Sequence, residues 1–281
     1  MKKARFILMT KRQRLRKMLL IISLLCFPVT LYYFSPALII NAGLAGIING
    51  SFLVFVMMFL FSIPFGRLFC ACLCPAGGLQ ECAFAVNERS PKQGWRLRMK
   101  YVIWAVWLTA VICCYLAGGG IMTVDFFFAT EHGISVSSIQ SYLIYYGIVF
   151  LILIPALLCG KRAFCHYFCW MAPFMTLGIK LRRFLHLPGL HIRAKRPEQC
   201  VSCGKCEKVC PMSIAILEEV RNGQIGSSEC IQCGVCIDNC PCGVLSYEIR
   251  GEQGGNHGIG KKTGLCDSGA AKPRRTDGLR D

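Results

Sequence analysis

Cys200-Val201-Ser202-Cys203-Gly204-Lys205-Cys206-Glu207-Lys208-Val209-Cys210-Pro211 is the stretch on which the reading of this chain turns. Its cysteines are spaced C-x2-C-x2-C-x3-C with proline next. The same spacing returns 30 residues later as Cys230-Ile231-Gln232-Cys233-Gly234-Val235-Cys236-Ile237-Asp238-Asn239-Cys240-Pro241. Two-residue gaps let a tight loop offer three thiolates to one compact centre. Gly204 and Gly234 are expected where crowding against that centre leaves no room for a side chain. The proline turns the chain away, so that the fourth thiolate faces elsewhere. Ile214 to Leu217 and Val244 to Leu245 supply apolar residues to cover the loops. Paired C-x2-C units also bind zinc, but zinc sites use separated pairs. Three cysteines at two-residue steps, twice over, favour iron–sulfur ligation.

The rest of the chain explains where such a domain sits. The sequence has 281 residues, 54% hydrophobic and 17% charged, whereas soluble domains carry about 25% charged residues. That deficit points to a membrane. The net charge of +17 is concentrated before residue 194, where 20 Lys and Arg face 4 Asp and Glu. Because those basic residues flank apolar segments, they read as topology signals, and nucleic acid is excluded as a partner. The 20 cysteines do not fit a disulfide scaffold, which belongs to small secreted chains. No C-x-x-C-H haem site, G-x-G-x-x-G fingerprint or P-loop occurs.

Four apolar segments approach the roughly 20 residues needed to cross a bilayer. They run over 18–40 (interrupted by Pro28 and Pro36), 47–65, 101–122 and 139–159. The connection 41–46 is uncharged, and the loop before the fourth segment carries Asp125, Glu131 and His132 without Lys or Arg. Basic residues occupy the other side, among them Lys11, Arg12, Arg67, Arg96, Lys100, Lys161 and Arg162. The positive-inside rule then puts both termini in the cytoplasm, where thiols stay reduced and available for metal.

A second cysteine pattern follows the even-numbered segments. Gly66-Arg67-Leu68-Phe69-Cys70-Ala71-Cys72-Leu73-Cys74-Pro75 and Gly160-Lys161-Arg162-Ala163-Phe164-Cys165-His166-Tyr167-Phe168-Cys169 both carry a basic residue and then Phe-Cys-x3-Cys. Cys70, Cys74, Cys165 and Cys169 are therefore candidate ligands of a third redox or metal site, the alternative being buried packing cysteines at the membrane edge. Spacing of four puts each pair on one face if the segment is helical. Arg67, Lys161 and Arg162 would favour thiolate over thiol. His166 is a candidate ligand or proton carrier, although a lone histidine is more often structural. Asp125, Glu131 and His132 read as a solvated loop. Cys26, Cys82, Cys113, Cys114 and Cys159 read as apolar filler.

The C-terminal runs resemble bacterial two-cluster ferredoxins, in which the first three cysteines of a run bind one cluster and the fourth reaches across to the other. That resemblance implies two 4Fe–4S clusters, one on Cys200, Cys203, Cys206 and Cys240, the second on Cys230, Cys233, Cys236 and Cys210. Over about residues 10–250 the whole arrangement resembles the NapH/MauN-type membrane ferredoxin subunits, also called polyferredoxins. These have four spans, two C-x3-C-P motifs at the cytoplasmic edge and a two-cluster ferredoxin domain. Two departures are plain. Cys169 is followed by Trp170-Met171-Ala172-Pro173 rather than directly by proline, and Cys72 adds a thiol inside the first motif.

The expectation is thus a mainly α protein: a basic N-terminus (1–17), a four-transmembrane-helix domain (18–190), a small α+β two-cluster ferredoxin-like domain (191–250) and a disordered tail (251–281). It would be a multi-pass inner-membrane protein with its ferredoxin domain in the cytoplasm. The resemblance implies an electron-transfer subunit of an oxidoreductase system, without a catalytic site of its own. It would relay electrons between quinol or a membrane partner and a cytoplasmic redox protein. The alternative is a membrane redox-sensing regulator or maturation factor that uses the same clusters.

Overall fold

The computed structural model of this protein describes residues 10–84, 86–91 and 94–250. The expected tail lies outside them, as does most of the basic N-terminus. The described chain is mainly helical. α1 (Lys11–Leu25) begins behind Thr10, whose hydroxyl accepts a hydrogen bond from the Gln13 N–H. Pro28 sits in the first turn of α2 (Phe27–Thr30), and the chain bends there by 61°. Pro36 opens α3 (Pro36–Leu44) behind a Ser35 cap. The expected 18–40 span is therefore three pieces, because each proline removes a backbone donor and starts a new helix.

α4 (Gly50–Phe65) is apolar but short. α5 (Leu68–Cys72) and α6 (Pro75–Ala83) follow it. Among the described residues, two helical segments are long and apolar enough to cross a membrane: Trp95–Ala117, which contains α7 (Met99–Ala117), and α8 (Ile139–Cys159). The bent segment from Lys11 to Phe34 makes a third if counted as one span. Val102, Val106 and Leu116 on α7, and Leu143, Phe150 and Leu158 on α8, are exposed. An apolar surface of that kind suits lipid and would be a liability in water.

α9 (Ala163–Tyr167) and α10 (Ala172–Phe184) follow α8 as α5 and α6 follow α4. The two halves exchange partners. α10 packs on α4 and α6 packs on α8, so each motif is flanked by a helix of the other half. The α10–α4 crossing is so close that a Cβ at Gly178 would fall 1.9 Å from Ser62 Oγ. At the opposite end, β1 (Ile47–Asn49) pairs in parallel with β2 (Thr123–Asp125).

The cysteine-rich part is built on β3 (Gly189–Ala194) and β4 (Leu245–Arg250), antiparallel with Gly189 opposite Arg250 and Ala194 opposite Leu245. Between them lie α11 (Lys205–Val209), α12 (Ile216–Arg221) and α13 (Val235–Asp238). Ile192, Ile216, Ile225, Ile231, Val244 and Leu245 form its buried core. It sits directly on the helical part. Gln13 donates to the Cys233 carbonyl at 3.0 Å, Arg12 pairs with Asp238 at 2.7 Å, and the Lys161 ammonium donates to the Lys208 carbonyl at 2.6 Å.

Candidate iron–sulfur sites

The two membrane-edge motifs fold alike. Each begins at a glycine in a conformation closed to other residues: Gly66 at φ 61°, ψ −136° and Gly160 at φ 102°, ψ −153°. At Gly160 a side chain would also strike the Arg89 carbonyl. A single helical turn follows. The Phe69 carbonyl then accepts from the N–H groups of both Leu73 and Cys74, and the Phe164 carbonyl accepts from those of Phe168 and Cys169. The expected continuous helical face is not what pairs the cysteines. α5 ends at Cys72, and Cys74 is already the N-cap of α6.

The four expected cysteines converge. Cys70, Cys74, Cys165 and Cys169 are all buried, at 3–5% exposure, and every pair among them lies in charge–charge range. Gln80 Nε2 donates to Cys165 Sγ at 3.1 Å, while its Oε1 accepts from the Phe164 N–H. The Cys70 thiol sits 3.5 Å from Met175 Sδ. Within the second motif, the hydrogen bond from Cys169 pulls the Cys165 thiol down against its burial, and Arg162 assists. The same hydrogen bond, together with burial, drives Cys169 up.

Two arginines at equivalent places supply the positive charge. Arg67 and Arg162 are fully buried. Arg162 donates to the Cys70 carbonyl at 2.8 Å and to Glu81 Oε1 at 2.5 Å; Arg16 donates to Glu81 Oε1 and Oε2 at 2.7 and 2.9 Å. Arg67 pairs with Glu229 at 2.8 Å, where Lys100 also donates at 2.6 Å. Burial alone would raise the Glu229 carboxyl, but Arg67 and Lys100 override it and hold it at about 2. Neither arginine Nε has a hydrogen-bond partner among the described residues. His166 is 2% exposed with both ring nitrogens unpartnered, and burial holds its pKa down to about 4.

In the ferredoxin-like part the two loops repeat residue for residue. Ser202 and Gln232, Gly204 and Gly234, and Ser213 and Gly243 all take positive φ, between 50° and 69°, at matching places. At Gly204 the left-handed turn is the only demand the protein makes, since a Cβ there would meet no protein atom within 4 Å, whereas at Gly234 a Cβ would also strike the Tyr247 hydroxyl. These turns aim backbone N–H groups at sulfur: those of Gln232 at Cys230, Val235 at Cys233, Glu207 at Cys206, and Met212 and Ile214 at Cys210. Burial raises all four thiols, and the amides partly offset it.

Cys210, Cys230, Cys233 and Cys236 line one small cavity closed by Ile192, Met212, Ile214, Ile216, Ile225 and Ile231. Cys206, by contrast, lies in charge range of Cys203 and Cys240. The fourth cysteine of each run thus stands with the other run's cysteines. Cys203 is exposed, whereas Cys233 lies in charge range of Arg16, Glu81 and Arg162. The Cys230 set therefore faces the helical part and the Cys200 set faces outward. Among the described residues no three His, Cys, Asp or Glu side chains are grouped to hold a single metal ion. Buried thiols on amide-rich loops under aliphatic cover suit the wider corners of a cluster.

Reading the sequence singles out the cysteines, Arg67, Arg162 and His166, and Lys100 as a topology signal, but not Gln80, Glu81, Met175 or Glu229. Glu81 carried a signal, because it is one of only 4 acidic residues before residue 194. Asp125, Glu131 and His132 are exposed, with the Asp125 carboxylate accepting from the Phe127 N–H, as in a solvated loop. Cys72 is half-buried, and Cys26, Cys82, Cys113 and Cys159 are exposed.

Comparison with known proteins bears on the same residues. A family model described as a 4Fe–4S dicluster domain matches residues 193–241, which hold both C-terminal runs. A second, described as a 4Fe–4S binding domain, matches twice, over 50–94 and 142–188, each time across one Cys-x3-Cys motif. An uncharacterized protein of Methanocaldococcus jannaschii is 26% identical over 179 residues, covering 59% of this chain and 67% of the relative. No solved structure matches. The two family models support placing this chain among the iron–sulfur proteins of ferredoxin type.

Proposed function

We propose that this protein is a membrane-anchored electron-transfer subunit of the NapH/MauN type. In this reading the helical part crosses the inner membrane four times with both termini in the cytoplasm, and α4 and the bent α1 segment serve as the shorter spans. Two 4Fe–4S clusters are held crosswise, on Cys200, Cys203, Cys206 and Cys240 and on Cys230, Cys233, Cys236 and Cys210. A third centre is held by Cys70, Cys74, Cys165 and Cys169. Bound there, such clusters supply one-electron transfer. The observation that carries this reading is the meeting of two Cys-x3-Cys motifs, from opposite halves, in one buried set beside the Cys230 loop.

The chain's own residues have definable tasks. Arg67 and Arg162 offset the negative charge of four buried thiolates, which would otherwise be costly to hold out of water. Gln80 and Met175 fix the orientation of Cys165 and Cys70. Glu229, gripped by Arg67 and Lys100, locks the ferredoxin-like part onto the membrane edge. A rigid seam keeps the separation between centres constant, which a relay needs. The donor side is a quinol or a membrane redox partner, and the outward Cys200 loop faces a cytoplasmic redox protein.

The test is redox cycling of anaerobically purified full-length protein in detergent. Mixed with a short-chain quinol or dithionite, its visible absorption should bleach, and a soluble acceptor should restore it without loss of iron. Loss or conversion of clusters on oxidation would instead support the sensing or maturation role.

A further inference from the structure

A cavity of about 360 Å³ opens at the seam between α1, α6 and the ferredoxin-like loops. Its lining combines Lys17, Lys161 and Lys208 with Leu20, Ile21, Leu24 and Phe84. From Lys17 to Leu24 the helix rises by about 10 Å, so the cavity passes from ammonium groups to aliphatic wall along one helix of the membrane-facing part. The acids that reach it are Glu81 and Glu88. Glu81 is already engaged by Arg16 and Arg162, and the Lys161 ammonium by the Lys208 carbonyl, which leaves Lys17 and Lys208 to face Glu88 in the lining.

We propose that this cavity binds an anionic phospholipid of the bilayer, its phosphate at Lys17 and Lys208 and its acyl chains along Leu20, Ile21 and Leu24. The inference rests on the reading of α1 as a membrane-entering helix. A soluble anion has no use for the aliphatic wall, and a neutral amphiphile has none for the lysines. Basic pockets at the cytoplasmic edge of helical membrane proteins suit anionic headgroups for the same electrostatic reason. The lipid would also cover Val209, Pro211 and Val235, which lie beside the Cys210 and Cys236 loops, and so close the seam against water.

The experiment uses full-length protein, delipidated in detergent and offered dioleoylphosphatidylglycerol or dioleoylphosphatidylcholine, with bound lipid counted by native mass spectrometry. Phosphatidylglycerol should be retained through washing that strips phosphatidylcholine. The Lys17→Glu/Lys208→Glu variant should retain it at least about tenfold less well, given two reversed charges near the headgroup. Leu24→Trp, which fills the apolar end with all three lysines intact, should reduce retention as well. Lys205→Glu, outside the cavity, should not, and unchanged iron content certifies the fold of each variant. Equal retention of the two lipids, or retention indifferent to both cavity changes, overturns the proposal while leaving the membrane reading intact. Failure of the protein to co-sediment with vesicles of either lipid overturns both.

Discussion

The Cys-x3-Cys set and the ferredoxin-like set make surroundings suited to thiolates by different means. In the loops around Cys200 and Cys230 the backbone does it. Left-handed turns at Ser202, Gly204, Gln232 and Gly234 aim N–H groups at sulfur, and no fully buried cation is part of either loop. At the Cys-x3-Cys set the side chains do it, through two wholly buried arginines, each with its own acidic partner. Amide dipoles are a fixed property of a loop, whereas a full charge is worth more per group and can be removed by one substitution. The Cys-x3-Cys set should therefore be the more tunable region and the more fragile one.

The largest effect follows from breaking the Arg67–Lys100–Glu229 cluster. Glu229→Gln leaves two buried cations facing a neutral amide and should cost about 3–5 kcal/mol. Thermal unfolding and protease accessibility of the seam around Lys100 would measure it. Replacing Arg67, Lys100 and Glu229 together with Met, Met and Gln should recover part of that loss.

Next is Arg162→Gln. Removing one buried charge beside the edge cysteines should lower the reduction potential of a centre held there by on the order of 100 mV, from a charge–charge energy of roughly 2 kcal/mol at an effective dielectric near 20. The ferredoxin-like centres should shift less, with the Cys230 set moving more than the outward Cys200 set. A redox titration followed by EPR separates the three.

How far the sequence carried this comparison depended on the kind of residue. The Cys-x2-Cys-x2-Cys-x3-Cys-Pro runs were legible because tight loops impose their own spacing, and the α+β frame around them followed. The meeting of Cys70 and Cys74 with Cys165 and Cys169 was foreseen from the repeated motif, but the exchange of α6 and α10 between halves was not. Small residues such as Gly178 permit that crossing without announcing it. The 61° bend inside the first segment is less legible, because its hydropathy persists through Pro28 and Pro36 while its backbone breaks there. Glu229 was passed over because its partners are about 130 and 160 residues away in sequence, and nothing local marks it.

A smaller effect separates the two repeated loops. Ala at Gly204 should cost about 1 kcal/mol for its positive φ alone. Ala at Gly234 should cost more, since its Cβ would fall 2.4 Å from the Tyr247 hydroxyl. Denaturant titration of the paired variants checks the order. Smallest of all is Arg12→Ala. Its side chain is 39% exposed where it pairs with Asp238, and solvent screening limits the loss to roughly 0.5 kcal/mol.

Iron and acid-labile sulfide per chain, on anaerobically purified full-length protein, decide whether the two Cys-x3-Cys motifs hold a centre of their own beside the two ferredoxin-like clusters. If that third centre is a 4Fe–4S cluster, about twelve of each are expected, falling to about eight in Cys70→Ser or Cys165→Ser. About eight in the unaltered protein, unchanged by either substitution, would contradict it, and zinc without sulfide would overturn the iron–sulfur reading altogether.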